Sequence, residues 1–307
     1  MQKMVFVLSL MMAFQVYAYC TPDNNTCFEC GSNCVAELTY TKDENNNNVG
    51  TFTVYGTSEN GAGQMLNYSF SGSEPNRTTT APWKDKLSDI NNVVISEGVT
   101  NVGGNTFTGA KNIKHLELAT STDVIQAGAF MDSTLETVNT LKNVSSLEGA
   151  AFYHTNLASI DLSDSLEIIK SHAFSYTDIE NIVIPDSVKE IYYRAFYGTY
   201  NLQNIEIGDG VTKIHENAFD GMPHTTKIYC HNFNERCERL FFGEINTGIL
   251  QNQLVKYTKE DGYYVYDNQR YRSLQNMQNK IAVKRIYTVK EATDASGKKN
   301  SVTIRYK

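Results

Sequence analysis

SDSLEIIKSHAFSYTDIENIVIPDSVKEIYYRAF, residues 163–196, states one pattern twice: SLEIIKSHAF is answered by SVKEIYYRAF, with Phe174 and Phe196 22 residues apart. The interval persists in both directions. Phe107, Phe130, Phe152, Phe174, Phe196 and Phe219 follow one another at 23, 22, 22, 22 and 23 residues, and five of the six come after an alanine. Five positions before each Phe stands an aliphatic residue, namely Val102, Ile125, Leu147, Ile169, Ile191 and Ile214. Eight before it stands another, Val99, Val144, Leu166, Val188 or Val211, with Thr122 the single departure.

Between the phenylalanines lie short alternating stretches, LEL (116–118), VNT (138–140), IDL (160–162), IVI (182–184) and IEI (205–207), preceded by VVI (93–95) and closed by IYC (228–230). Their period of two predicts short half-buried strands. Turn residues follow several of them, in SEGV, SDSL, PDSV and GDGV. After Phe107 and Phe196 the next aliphatic residue comes six positions on instead of five (Ile113, Leu202), and both have a glycine two past the Phe, Gly109 and Gly198. The extra residue of the longer coils is therefore expected in a glycine turn. The few inward side chains of one such unit cannot offset the entropy of ordering 22 residues, so units must stack and bury both faces against neighbours. The spacing thus predicts one coil of a solenoid, with the phenylalanines as an internal column.

The unit IENIVIPDSVKEIYYRAF, Ile179 to Phe196, resembles the BspA-like leucine-rich repeats of bacteria and parasitic protists. CGSNC, GTFTVYGTSENGAGQM and APWKDKLSDINNVVISEGVTNVG look like that family's N-terminal capping segment, so residues 30 to 230 or so carry the resemblance. The family's usual cysteine three past each Phe is replaced here by Ser133, Thr155, Thr177 and Thr199. The resemblance implies a right-handed leucine-rich repeat coil, mainly β with an irregular or short helical convex side. A Cys-rich N-terminal cap and a small β-rich C-terminal segment complete it. The expected division is a signal peptide (1–18), a cysteine-containing cap (19–90), repeats (91–230), and a C-terminal cap with a basic β-rich tail (231–307). In the tail, KRIYTVKEATDASGKKNSVTIRYK reads as two strands around DASGKKN.

Lys3, the apolar run from Met4 to Phe14, and Val16 and Ala18 form an export signal expected to be cleaved before Tyr19. No later apolar run approaches the length of a membrane helix, so no transmembrane segment is expected. Six cysteines in two clusters, Cys20, Cys27, Cys30, Cys34 and Cys230, Cys237, fit disulfides in an oxidising compartment. Pairing within the first cluster is open, and zinc on Cys27 and Cys30 is the rival reading. Cys230 takes an inward strand position, and a Cys230–Cys237 bond is expected to pin the last coil. Acceptor triplets for N-glycans start at Asn24, Asn67, Asn76 and Asn143.

Residues 1–250 carry 15 basic and 29 acidic side chains (net −14), residues 251–307 carry 12 and 5 (net +7). The basic residues of the tail are dispersed among tyrosines, which argues against a nucleic-acid site. HENAF (215–219) begins like a zinc-protease helix but places Phe219, a repeat anchor, where the second histidine belongs. No nucleophile elbow, phosphate loop or dinucleotide fingerprint occurs, and the histidines occupy unlike repeat positions. No catalysis, cofactor or metal is expected.

Stacking aligns the outward strand residues into two columns: His115, Thr137, Ser159, Asn181, Asn204, Lys227, and Glu117, Asn139, Asp161, Val183, Glu206, Tyr229. In leucine-rich repeat folds such a sheet is the concave, ligand-facing side, and a polar strip suits a protein or glycan approached through hydrogen bonds. Tyr153, Tyr176, Tyr192, Tyr193, Tyr197 and Tyr200, near the repeat turns, form a second candidate patch. The expected function is a secreted or cell-surface recognition module whose family resemblance implies adhesion to a host or matrix ligand. A self-associating surface coat is the alternative, and an enzyme with its site in residues 241–307 the third.

Overall fold

The computed structural model describes residues 25–57 and 62–230, and beyond them residues 240, 254–255, 258–260, 263–266, 269–272, 277, 289–293 and 299–303. Among the described residues the chain is a β-solenoid with almost no helix, a single 3₁₀ segment, Lys84–Asp89, lying before the first coil. The N-terminal cap is an antiparallel meander of β1 (Cys27–Ser32), β2 (Cys34–Lys42) and β3 (Asn48–Gly56), followed by β4 (Gly63–Met65) and the small ladder of β5 (Phe70–Ser71) with β6 (Thr78–Thr79). Two parallel ladders grow from it. On one side β3 pairs with β7 (Ile90–Ile95), which leads to β9 (His115–Leu118) and β11 (Thr137–Val138). On the other, β4 pairs with β8 (Val99–Val102), followed by β10 (Val124–Ile125), β12 (Ser146–Leu147), β13 (Ile168–Ile169), β15 (Glu190–Ile191) and β17 (Lys213–Ile214). The cap hairpin joins both into a single 13-stranded sheet that wraps the end of the core. An open terminal coil would expose its apolar interior, which is why a solenoid needs such a lid.

The aliphatic residue five before each Phe thus belongs to a second strand per coil, which the period-2 stretches did not reveal because only two residues of it pair. The first ladder, conversely, breaks. Ile160 is buried, yet residues 156–163 form no strand, contrary to the reading of IDL as one. The ladder resumes as a separate sheet of β14 (Asn181–Ile184), β16 (Asn204–Ile207), β18 (Lys227–Cys230) and β19 (Leu254–Val255).

The phenylalanine column is continuous. All six rings are fully buried, and successive rings lie 5.2 to 5.8 Å apart and within 14° of parallel. These offset stacks add about 0.5–1.5 kcal/mol per pair beyond burial itself. Phe52 and Trp83 close the column over Phe107, and the Trp83 indole donates to the Thr106 carbonyl at 3.2 Å. Thr155, Thr177 and Thr199, standing where the family has cysteine, each donate a hydroxyl to the carbonyl of the Phe three residues earlier, at 2.9 to 3.0 Å.

Turns, not short helices, fill the side of the coil that carries the phenylalanines. Two before each Phe the backbone is left-handed, at Asn105, Gly128, Ala150, His172, Arg194 and Asn217, with φ between 54° and 65°. Two after it is left-handed again, at Gly109, Asp132, His154, Tyr176, Gly198 and Gly221, with φ between 54° and 80°. Gly109 and Gly198 therefore do not explain the longer coils, since every coil has the same left-handed residue with or without glycine. These turns stack through a third backbone ladder. The Phe amides donate to the alanine carbonyl of the next coil at 2.8 to 3.0 Å, and the amides of Gly109, Asp132, His154, Tyr176 and Gly198 donate likewise at 2.8 to 2.9 Å.

Cys30 and Cys34 form a disulfide in the β1–β2 hairpin, and Cys27 is disulfide-bonded as well, which removes the zinc reading of Cys27 and Cys30. Cys230 is disulfide-bonded, while Cys20 and Cys237 lie outside the described residues. In the tail, Val289–Thr293 and Lys299–Thr303 pair antiparallel, the two strands expected there, and Thr258–Glu260, Tyr263–Tyr266 and Gln269–Tyr271 form a further three-stranded sheet. No helix among the described residues is long and apolar enough to cross a membrane.

Candidate functional site

Alternation along β9 turns Leu116 and Leu118 into the core and leaves His115 and Glu117 exposed; β11 repeats this with Thr137 exposed, Val138 half-buried and Asn139 exposed beyond it. With Thr51, Asn92 and Val94 from β3 and β7 they line a depression of about 500 Å³, beneath which Val93 and Leu116 turn their side chains into the core. The His115 Nδ1 lies 2.7 Å from the Thr137 hydroxyl, and Asn92 reaches Thr51 at 3.4 Å. Glu117 makes no hydrogen bond or ion pair among the described residues, so its carboxylate is a free acceptor on the rim. Lys114 and Glu136 pair at the edge.

The two predicted columns do not run as one wall. The Asn139 amide is spent on the sheet: it accepts from the Leu118 amide at 2.9 Å and donates to the Leu118 carbonyl at 3.1 Å, standing in for the strand that ends there. Ser159 and Asp161 are exposed in the strandless stretch. Asn181 and Asn204 bond each other at 2.6 Å, Val183 is 55% exposed, and Lys227 is half-buried. Glu206 and Tyr229 are buried, at 8% and 1% exposure, and leave the candidate surface. Period-2 alternation placed them outward; which of the outward residues are then covered is set by the rest of the chain.

The tyrosine patch at the turns splits. Tyr192 stacks on His215 at 4.5 Å, whereas Tyr153, Tyr176, Tyr193 and Tyr197 share contacts across coils, with Tyr200 65% exposed beside Tyr176. Next to it lies a polar network with no sequence signal. Asp132, fully buried, accepts from Arg77 at 2.9 Å and faces the His154 Nδ1 at 2.9 Å; Arg77 also pairs with Glu74 at 3.1 Å. The Tyr153 hydroxyl meets Glu74 at 3.2 Å, and burial, then the Glu74 charge, push its pKa up to about 12. Ligand atoms of Glu74, Asp132 and His154 lie within 4.8 Å of one another, but the guanidinium of Arg77 already supplies the positive charge to both carboxylates. The group is an ion-pair network that ties the cap to the second and third coils.

The acceptor residues Asn67, Asn76 and Asn143 are exposed, and Asn24 lies outside the described residues. Phe219 of HENAF is in the ring column, and most of residues 241–307, on which the enzyme alternative rests, lie outside the described residues.

A family model described as BspA type leucine rich repeat region matches residues 85–200 and 167–281, in six copies. Among solved structures, a leucine-rich repeat protein from Eubacterium ventriosum is 18% identical, with 67% of this chain and 61% of that one covered and a TM-score of 0.49. A leucine rich cell surface protein from Faecalibacterium prausnitzii is 18% identical over 80% and 59% of the two chains, with a TM-score of 0.41. The Treponema pallidum leucine rich repeat protein is 16% identical over 70% and 89%, with a TM-score of 0.37. The chain thus spans about three fifths of the first two structures. No curated protein matches it.

Proposed function

The chain belongs to the BspA-type leucine-rich repeat family, and from that premise we propose that it is a secreted or cell-surface recognition module that adheres to a host or matrix protein without catalysis. The observation that carries this is the depression on β3, β7, β9 and β11, where the outward Val94 side chain stands among the unpaired Glu117 carboxylate, the His115 ring and Thr137. Apolar area surrounded by a few placed polar groups is the composition of a small protein-docking patch. The export signal at residues 1–18 and the exposed acceptors Asn67, Asn76 and Asn143 support an extracellular, glycosylated form.

The test is retention of proteins from an extracellular-matrix extract on the immobilised full chain, beside a double variant, His115→Glu with Glu117→Arg. At least tenfold weaker retention by the folded variant is expected. Equal retention by both removes the strand face as the site. No retention at all, together with a molecular mass in solution that rises with concentration, favours the self-associating coat.

A further inference from the structure

The turn edge holds a surface that the strand-face reading leaves unused. Six side chains from successive coils close a circuit there. Tyr153 meets Tyr176 at 5.6 Å and Tyr176 meets Tyr197 at 5.4 Å. The Arg194 guanidinium lies 4.7 Å from the Tyr197 ring centre and 4.9 Å from that of Tyr193. Tyr193 meets His172 at 5.6 Å, and His172 returns to Tyr153 at 6.2 Å. Gly198 makes room for this, since a Cβ there would come within 2.6 Å of the Tyr176 ring.

One feature sets the circuit apart from ordinary packing. Arg194 has no carboxylate partner among the described residues, and its Nε is buried without a hydrogen-bond partner. Arg77, by contrast, is paired twice. A partly desolvated guanidinium held against two rings without an anion gains by pairing with a negative group from outside.

We propose that this circuit is a second binding site, on a face separate from the strand depression, for a sugar carrying a single carboxylate. The carboxylate pairs with Arg194, and the apolar face of the sugar ring lies on Tyr193 and Tyr200, which are 36% and 65% exposed. Tyrosine supplies such a face at low entropic cost, with its hydroxyl available to the sugar. The charge count favours one anionic group. Burial, and then Arg194, lower the His172 pKa from 6.5, so the imidazole is neutral near pH 7 and Arg194 is the one cation of the circuit. Residues 1–250 carry a net charge of −14, which repels a polysulfated chain. A peptide is disfavoured because the turn amides of His154, Tyr176 and Gly198 already donate to the neighbouring coil and leave no free edge for strand addition.

The experiment is saturation-transfer NMR and titration calorimetry on the full chain with 3′-sialyllactose and with lactose as the uncharged control. The acidic trisaccharide is expected to bind at least tenfold tighter than lactose. Arg194→Gln should reduce that affinity at least tenfold to the lactose level, and Tyr200→Ala should reduce it severalfold. The Glu117→Arg variant should leave it unchanged, which separates this site from the strand face. Equal binding of the two sugars, absence of binding by the trisaccharide, or an acidic peptide that binds through Arg194 in its place overturns the proposal. Tyr200 is 65% exposed and meets Tyr176 only at 6.3 Å, so its variant is expected to fold and decides the matter even where Arg194→Gln unfolds the chain.

Discussion

The turn edge and the strand face are built from the same repeats, yet one is regular throughout and the other is not. At the turn edge, left-handed residues recur at both flanks of every Phe, the amide ladder passes through every coil, and the rings stack without interruption. On the strand face the ladder stops after Thr137–Val138, skips residues 156–163 and restarts at Asn181 as a separate sheet. The difference lies in what holds each side. The turn edge is tied down by buried aromatic rings and backbone hydrogen bonds that do not depend on which polar side chain is present. The strand face is held by alternation in only three or four residues per coil, so a single weak coil such as ASIDLS, residues 158–163, loses its strand while its core residue stays buried.

If the turn edge carries the stability, the largest loss comes from the column. Phe174→Ala, between Phe152 at 5.7 Å and Phe196 at 5.3 Å, is expected to cost about 3–5 kcal/mol in denaturant melts. Ile160→Ala in the strandless coil is expected to cost only about 2 kcal/mol, at the low end for such truncations. Equal losses would erase the contrast between the two regions. Next in size is Arg77→Ala, which leaves the buried Asp132 carboxylate with only the His154 contact and is expected to cost about 3 kcal/mol; adding Asp132→Asn should restore most of it.

A gain is expected at Ala150. Its φ of 56° suits glycine better, so Ala150→Gly should stabilise by about 0.5–1 kcal/mol, the relief of left-handed strain less the extra freedom of the unfolded chain. A loss on that substitution would show that the turn geometry imposes no strain. The smallest effect is one of pH. Burial and the Arg194 charge hold the His172 pKa below 6.5, so the unfolded chain binds the extra proton first and stability falls as the pH drops below that value. His172→Asn, compatible with a left-handed backbone, should flatten the stability profile between about pH 7 and 5.

Particular residues show where the reading of the chain stopped. The column of six phenylalanines, the aliphatic residues five and eight before each, and the expectation that coils stack were all legible, because each depends on burial repeated at a fixed interval. The second strand of each coil was not, since Val124–Ile125 or Glu190–Ile191 is too short to show a period. Of the twelve candidate face residues, His115, Glu117, Thr137 and Asn139 line the depression. Glu206 and Tyr229 are buried instead, because alternation tells which side of a strand a residue faces and not whether that side is covered. The threonines that replace the family's cysteine gained a role only from geometry, where their hydroxyls cap the Phe carbonyls, while the buried Ser133 hydroxyl in the same place makes no such bond.

The amino-acid sequence by itself determined the length of a coil, the residues inside it and the number of times it repeats, for hydrophobic burial at constant spacing is a one-dimensional signal. The tertiary structure alone decided the left-handed turns at ordinary side chains, the buried Asp132 beside Arg77, and the meeting of Arg194 with rings from neighbouring coils. Those depend on residues about 22 positions apart being brought to within a few ångströms, and no local pattern records which polar groups will then find partners and which will not.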